Sequence, residues 1–117
     1  MKRAIFTVLL APFAFANTPP SAPVIQEPAI ELQALNGADV HMVTSEFVDA
    51  DGDGHRCSDW EIREENGDMV WSALCAEGSL ALHIHLGDGV FSGSHAEARE
   101  LRAAARFELR VRHRDDS

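Results

Sequence analysis

From Ile30 onward, apolar and polar residues alternate with period two along most of the chain, the spacing of half-buried strands rather than of helices. Ile30, Leu32 and Ala34 alternate with Glu31 and Gln33 up to Asn36-Gly37, which predicts a strand closed by a turn. Val40, Met42 and Thr44 take one side of a second strand, with His41 and Val43 on the other. Cys57 to Glu64 and Met69 to Cys75 predict a hairpin about Asn66-Gly67. Leu80, Leu82, Ile84 and Leu86 alternate with Ala81, His83 and His85, a regular strand ended by Gly87-Asp88-Gly89. Phe107, Leu109, Val111 and His113 alternate with Glu108, Arg110, Arg112 and Arg114 in a final strand. Ala96 to Arg106 breaks the pattern. Ser94 with Glu97 three residues on fits a capping box, and the Ala-rich run that follows favours a short helix near 95–105.

The hairpin register can be counted from its turn. A three-residue loop, Glu65-Asn66-Gly67 with Gly67 at positive φ, pairs Glu64 with Asp68 and sets Cys57 opposite Cys75. Trp60, Ile62, Val70 and Leu74 then share one face, and Trp71 points away from Trp60. A two-residue Asn-Gly turn shifts the pairing by one and moves the cysteines off opposite positions. A bridge between them favours the first register.

The N-terminus reads differently. Lys2 and Arg3 precede an apolar run from Ala4 to Phe15 that closes on Ala14-Phe15-Ala16, the pattern of a signal peptide over 1–16. The run is too short for a stable bilayer anchor. A buried N-terminal strand or helix is disfavoured because Pro19, Pro20, Pro23 and Pro28 follow at once. Residues 17–28 read as an extended Pro-rich linker, and 29–117 as the domain. Export implies a secreted or periplasmic location, no membrane anchor after cleavage, and a disulfide between Cys57 and Cys75.

Charge narrows the partners. Without Lys2 and Arg3 the ten Lys and Arg become eight, against 19 Asp and Glu, for a formal charge of −11. That balance argues against nucleic acid and anionic membranes, and leaves a protein or carbohydrate partner. Acids crowd between Glu46 and Asp68 and arginines crowd the C-terminal end, so pairing between the two regions is expected.

Two constellations could carry chemistry. Asp49, Asp51 and Asp53 before Gly54 match the first half of a calcium loop, with carboxylates at alternate positions around one hard cation. Trp60 stands at the twelfth position and Glu61 comes one residue late, so the loop departs from an EF-hand. The plain alternative is an Asp/Gly turn whose side chains bond their own backbone. His83 and His85, two apart on a strand, project to one side, opposite Leu82 and Ile84. With His41, His55 or His95 they could hold zinc or copper, although six histidines scattered over a solvated face are the commoner arrangement. No Gly-x-Ser-x-Gly and no glycine-rich phosphate loop occurs, and nothing else marks a catalytic residue.

Phe47-x-Asp49-x-Asp51-Gly52-Asp53-x-His55, Cys57-Ser58-Asp59-Trp60-Glu61-Ile62 and Val70-Trp71 resemble the first half of a fibronectin type III-like module of secreted bacterial proteins. His83-x-His85-Leu86-Gly87-Asp88-Gly89-Val90-Phe91 and Leu109 to Asp115 resemble the second half. The resemblance extends to the module preceding the catalytic domain of proteins similar to PQQ-dependent glucose/sorbosone dehydrogenases, and spans Ala29 to Ser117. It implies an all-β, fibronectin type III/immunoglobulin-like sandwich that lacks its last strand beside Phe107 to His113. It also implies that the final strand lies beside the Trp60 strand, with Asp59 and Glu61 near Arg110 and Arg112. Where such modules carry a tyrosine corner this chain has Phe107, which offers no hydroxyl. The expected role is a secreted non-catalytic accessory or interaction module, calcium-stabilised. The alternatives are the N-terminal piece of a PQQ-type sugar dehydrogenase or a small His-ligated metalloprotein.

Overall fold

The computed structural model describes residues 3–8, 20–28, 33–52, 54–103 and 105–115. Its strands are β1 (Arg3–Val8), β2 (Ile25–Glu27), β3 (Gln33–Asn36), β4 (His41–Thr44), β5 (His55–Glu64), β6 (Met69–Ala76), β7 (His83–His85), β8 (Val90–Phe91) and β9 (Arg106–Asp115). They form a six-stranded sheet in the order β3-β1-β9-β5-β6-β8 and a three-stranded sheet in the order β2-β4-β7. The two sheets pack into an all-β sandwich. Trp60, Trp71, Phe6, Phe107, Met42, Ile62, Ile84 and Leu109 fill the interior.

β5 and β9 form the spine: β9 alternates buried and half-buried residues from Phe107 to His113, and β5 does so from Trp60 to Glu64, after four consecutive buried residues at Cys57 to Trp60. Their antiparallel register sets Trp60 opposite Val111 and Ile62 opposite Leu109 on the core side. On the outer side it sets Asp59 opposite Arg112 and Glu61 opposite Arg110. The Asp59 carboxylate takes the guanidinium groups of Arg112 at 2.5 Å and Arg114 at 2.8 Å. The acidic and basic regions of the sequence meet here.

The β5–β6 turn matches its expected geometry. Gly67 has φ of 96°, and the Glu64 amide donates to the Asp68 carbonyl at 2.8 Å. Bulges between Ile62 and Arg63 and between Ser58 and Trp60 then shift the register. Ile62 therefore faces Trp71, which is fully buried, while Leu74 is 64% exposed. The shared face expected for Trp60, Ile62, Val70 and Leu74 is corrected accordingly: Trp71 joins the core and Leu74 leaves it. Cys57 and Cys75 are bridged, with Cα atoms 4.8 Å apart. Cys75 adopts a φ of 49°, and its amide donates to Asp59 Oδ1 at 2.8 Å.

Three further expectations change. Among the described residues near 95–105 no α-helix forms. Among those residues a 3-10 turn, Gly93–His95, appears, the Ala96 and Ala98 amides close local turns, and helical bonding goes no further. The Leu101 amide donates to the Gly37 carbonyl at 2.8 Å and the Arg102 amide to His95 Nε2 at 3.1 Å, with Leu101 fully buried. Tertiary anchoring outweighs local propensity. Next, the Leu80–Leu86 run is strand only at β7, flanked by 3-10 turns at Gly78–Ala81 and Leu86–Asp88. Finally, the sandwich extends N-terminal to residue 29: β2 lies in the smaller sheet, and Pro23, Ile25 and Pro28 are buried. In the chain as it stands, β1 fills the place beside β9 where a strand was expected to be missing, with Ile5 to Val8 running parallel to Arg106 to Leu109.

Candidate metal centre

β7 is strung between anchors on the larger sheet. The Trp60 indole N–H donates to the Leu80 carbonyl at 3.0 Å, and the Trp71 indole N–H to the Leu86 carbonyl at 2.9 Å. Ser58 Oγ–H donates to the Ala81 carbonyl at 2.7 Å. These donors hold both ends of the strand that carries His83 and His85. Gly89 permits the arrangement, because a Cβ there would overlap the Trp71 indole and lie 2.7 Å from the Ser72 carbonyl oxygen.

The two-residue period then sorts the side chains. Ile84 and Met42 are fully buried, so His83 and His85 on β7 and His41 on β4 project outward. The antiparallel register sets His41 opposite His85, with Val43 opposite His83. The three imidazoles consequently cluster, and one nitrogen from each lies within 4.8 Å of the others. His41 and His83 are exposed and His85 is half-buried. A tetrahedral ion with bonds of about 2.0–2.1 Å holds its nitrogens roughly 3.3 Å apart, which modest side-chain rotation would reach.

Hydrogen bonds tie the cluster to its surroundings. The His85 side chain accepts from the Asp88 amide, while Asp88 Oδ2 accepts from the His85 amide at 3.0 Å. His85 Nε2 lies 2.7 Å from His41 Nε2, so one of these two nitrogens donates the proton between them. His41 Nδ1 lies 3.9 Å from Glu27 Oε2, and His85 Nδ1 lies 3.7 Å from Asp88 Oδ2. An ion taking both Nε2 atoms would displace the proton between them and leave the Nδ1 side of each ring toward Glu27 and Asp88. Carboxylates behind the ring nitrogens opposite the ligating ones are the usual support of histidine-bound metals.

The other named residues lie apart. His55 donates through Nε2–H toward the Cys57 carbonyl at 3.1 Å and Ser58 Oγ at 3.0 Å, and its ring stacks on Phe47. Burial lowers its pKa. His113 packs against both rings with centroids 4.5 Å from His55, and burial, then the charge of His55, holds its pKa at about 4. His95 is buried beside Glu64, which Arg102 engages at 2.8 Å. In the acidic loop Asp49 Oδ1 accepts the Asp51 amide at 2.7 Å, and Gly52 has φ of 76°. Asp53 lies outside the described residues. Asp49 Oδ2 is buried with no hydrogen-bond partner among the described residues.

The sequence marked His83 and His85 by their spacing, whereas His41 stood as one of three equal candidates. The β4–β7 register selects it, and a single chain's periodicity does not reveal strand pairing. Comparison with known proteins gives no match: no family model fits the chain, and neither the curated proteins nor the solved structures provide a significant relative.

Proposed function

We propose that this chain is a secreted, non-catalytic accessory module whose histidine face binds a divalent transition metal, zinc or copper. The observation that carries the reading is the convergence of His41, His83 and His85 within 4.8 Å. Imidazole ligands suit zinc and copper. The site lies on the outward side of a sheet with two of its three rings exposed, a setting for binding rather than for enclosed chemistry. Coordination positions left by three ligands would face solvent and accept a donor from a protein partner. The Cys57–Cys75 bridge fits an extracellular or periplasmic location. The adjacent strands β6, β5 and β9 around Trp60 support a fibronectin type III-like identity. Calcium at Asp49, Asp51 and Asp53 is a second reading, supported by the unpartnered Asp49 Oδ2.

The test is calorimetric titration of chelator-stripped protein with zinc and with copper. One equivalent should bind, and His41→Ala, His83→Ala and His85→Ala should each weaken binding by about tenfold or more. Binding that survives all three substitutions together removes the reading.

A further inference from the structure

β1 occupies a place that export would make temporary. Arg3–Val8 lie inside the stretch 1–16 that carries the leader pattern, yet they form an interior strand of the larger sheet. On one side they run parallel to β9, and on the other Arg3 to Phe6 run antiparallel to Asn36 to Gln33. The Ile5 amide also donates to the Ala105 carbonyl at 3.0 Å. Ala4 and Phe6 are fully buried, with the Phe6 ring centroid 5.9 Å from that of Phe107. Taking this strand away leaves a slot with backbone donors and acceptors on both walls and apolar side chains on its floor. Open strand edges over an apolar floor recruit another strand.

We propose that leader cleavage vacates this slot and that an extended segment of a partner polypeptide fills it. That segment runs parallel to β9 and places a small and then a large apolar residue at the core-facing positions now held by Ala4 and Phe6. The proposal rests on the leader pattern and is independent of the metal site. A second copy of this chain is a poor donor. Residues 17–28 contain Pro19, Pro20, Pro23 and Pro28, which lack the amide an interior strand needs, and the remaining described strands are committed to the two sheets. Edge-to-edge pairing of β9 with its copy would bring the Arg110, Arg112 and Arg114 rows together.

The experiment uses the full chain with a protease site replacing residues 10–16, cut after folding. Native mass spectrometry and thermal melting follow the fragment, and an isotopically labelled peptide of residues 1–9 serves as the probe. The labelled peptide should displace the cut fragment, removal of the fragment should lower Tm or unfold the domain, and the peptide should restore it. A peptide carrying Phe6→Asp should do neither. A stripped domain that stays monomeric with unchanged Tm overturns the proposal, as does one that stays unfolded with peptide present or forms dimers that the peptide leaves intact. Export of the unmodified chain with Arg3–Val8 still attached, read by intact mass, also overturns it.

Discussion

Replacing His113 by phenylalanine should make this fold resistant to mild acid. His113 is 3% exposed, and neither ring nitrogen has a hydrogen-bond partner among the described residues. Burial, reinforced by the charge of His55, depresses its pKa from 6.5 to about 4. The folded state keeps this ring neutral while the unfolded chain takes up a proton. Its contribution is therefore complete above the unfolded pKa and is lost as pH falls toward the folded one. With those two pKa values the loss is roughly 3 kcal/mol at about pH 4. A small domain has about 5–15 kcal/mol in total, so the effect is large. Urea unfolding near pH 7.5 and near pH 4, with chelator present to exclude any metal bound at the proposed site, measures it. The wild type should lose roughly 3 kcal/mol more than His113→Phe between those conditions. The variant should be at least as stable at neutral pH, since it removes two buried polar atoms without partners. Equal acid sensitivity in both proteins would refute the assignment. Asp59 acts in a different window. Burial raises its pKa, but the hydrogen bonds from Arg114, Cys75 and Arg112 outweigh it, so the net value lies below 3.8 and its stabilisation is lost only in stronger acid.

Asp59→Ala removes the carboxylate shared by Arg112, Arg114 and the Cys75 amide, and should cost about 3 kcal/mol in chemical denaturation at neutral pH. Reducing the Cys57–Cys75 bridge, which spans a sequence separation of 18, should lower stability by roughly 3 kcal/mol. Gly89→Ala drives a methyl group into the Trp71 indole. About 1–3 kcal/mol of destabilisation is expected, together with weaker zinc binding as the Leu86 anchor shifts. Calcium added at millimolar level to chelator-treated protein should raise Tm if Asp49 Oδ2 serves a cation, and an unchanged melt disposes of that second reading.

Much of the larger sheet was legible because β9 alternates from Phe107 to His113 and β5 from Trp60 to Glu64, and the Asn66-Gly67 turn pins β6 beside β5. The charge segregation between Glu46–Asp68 and the C-terminal arginines likewise announced pairing between the two regions, and the resemblance placed Asp59 and Glu61 near Arg110 and Arg112, where the contacts form. What could not be read is decided between distant segments. Bulges moved Trp71 inward and Leu74 outward, and where the extra residue falls is decided by how the two strands pair. The helix expected near 95–105 yields to burial of Leu101 against Gly37, an interaction spanning much of the chain. His83 and His85 were visible as a pair, whereas His41 joins them only through its register opposite His85.

The tryptophan anchors carry a consequence for observation as well as for folding. This chain has two Trp and no Tyr, so its near-ultraviolet emission comes from the same indoles whose N–H groups grip the strand on either side of His83 and His85. Copper captured at the imidazoles should quench that light, and slackening of either grip should shift its colour. The molecule thus brings its own optical gauge to the site it holds in place.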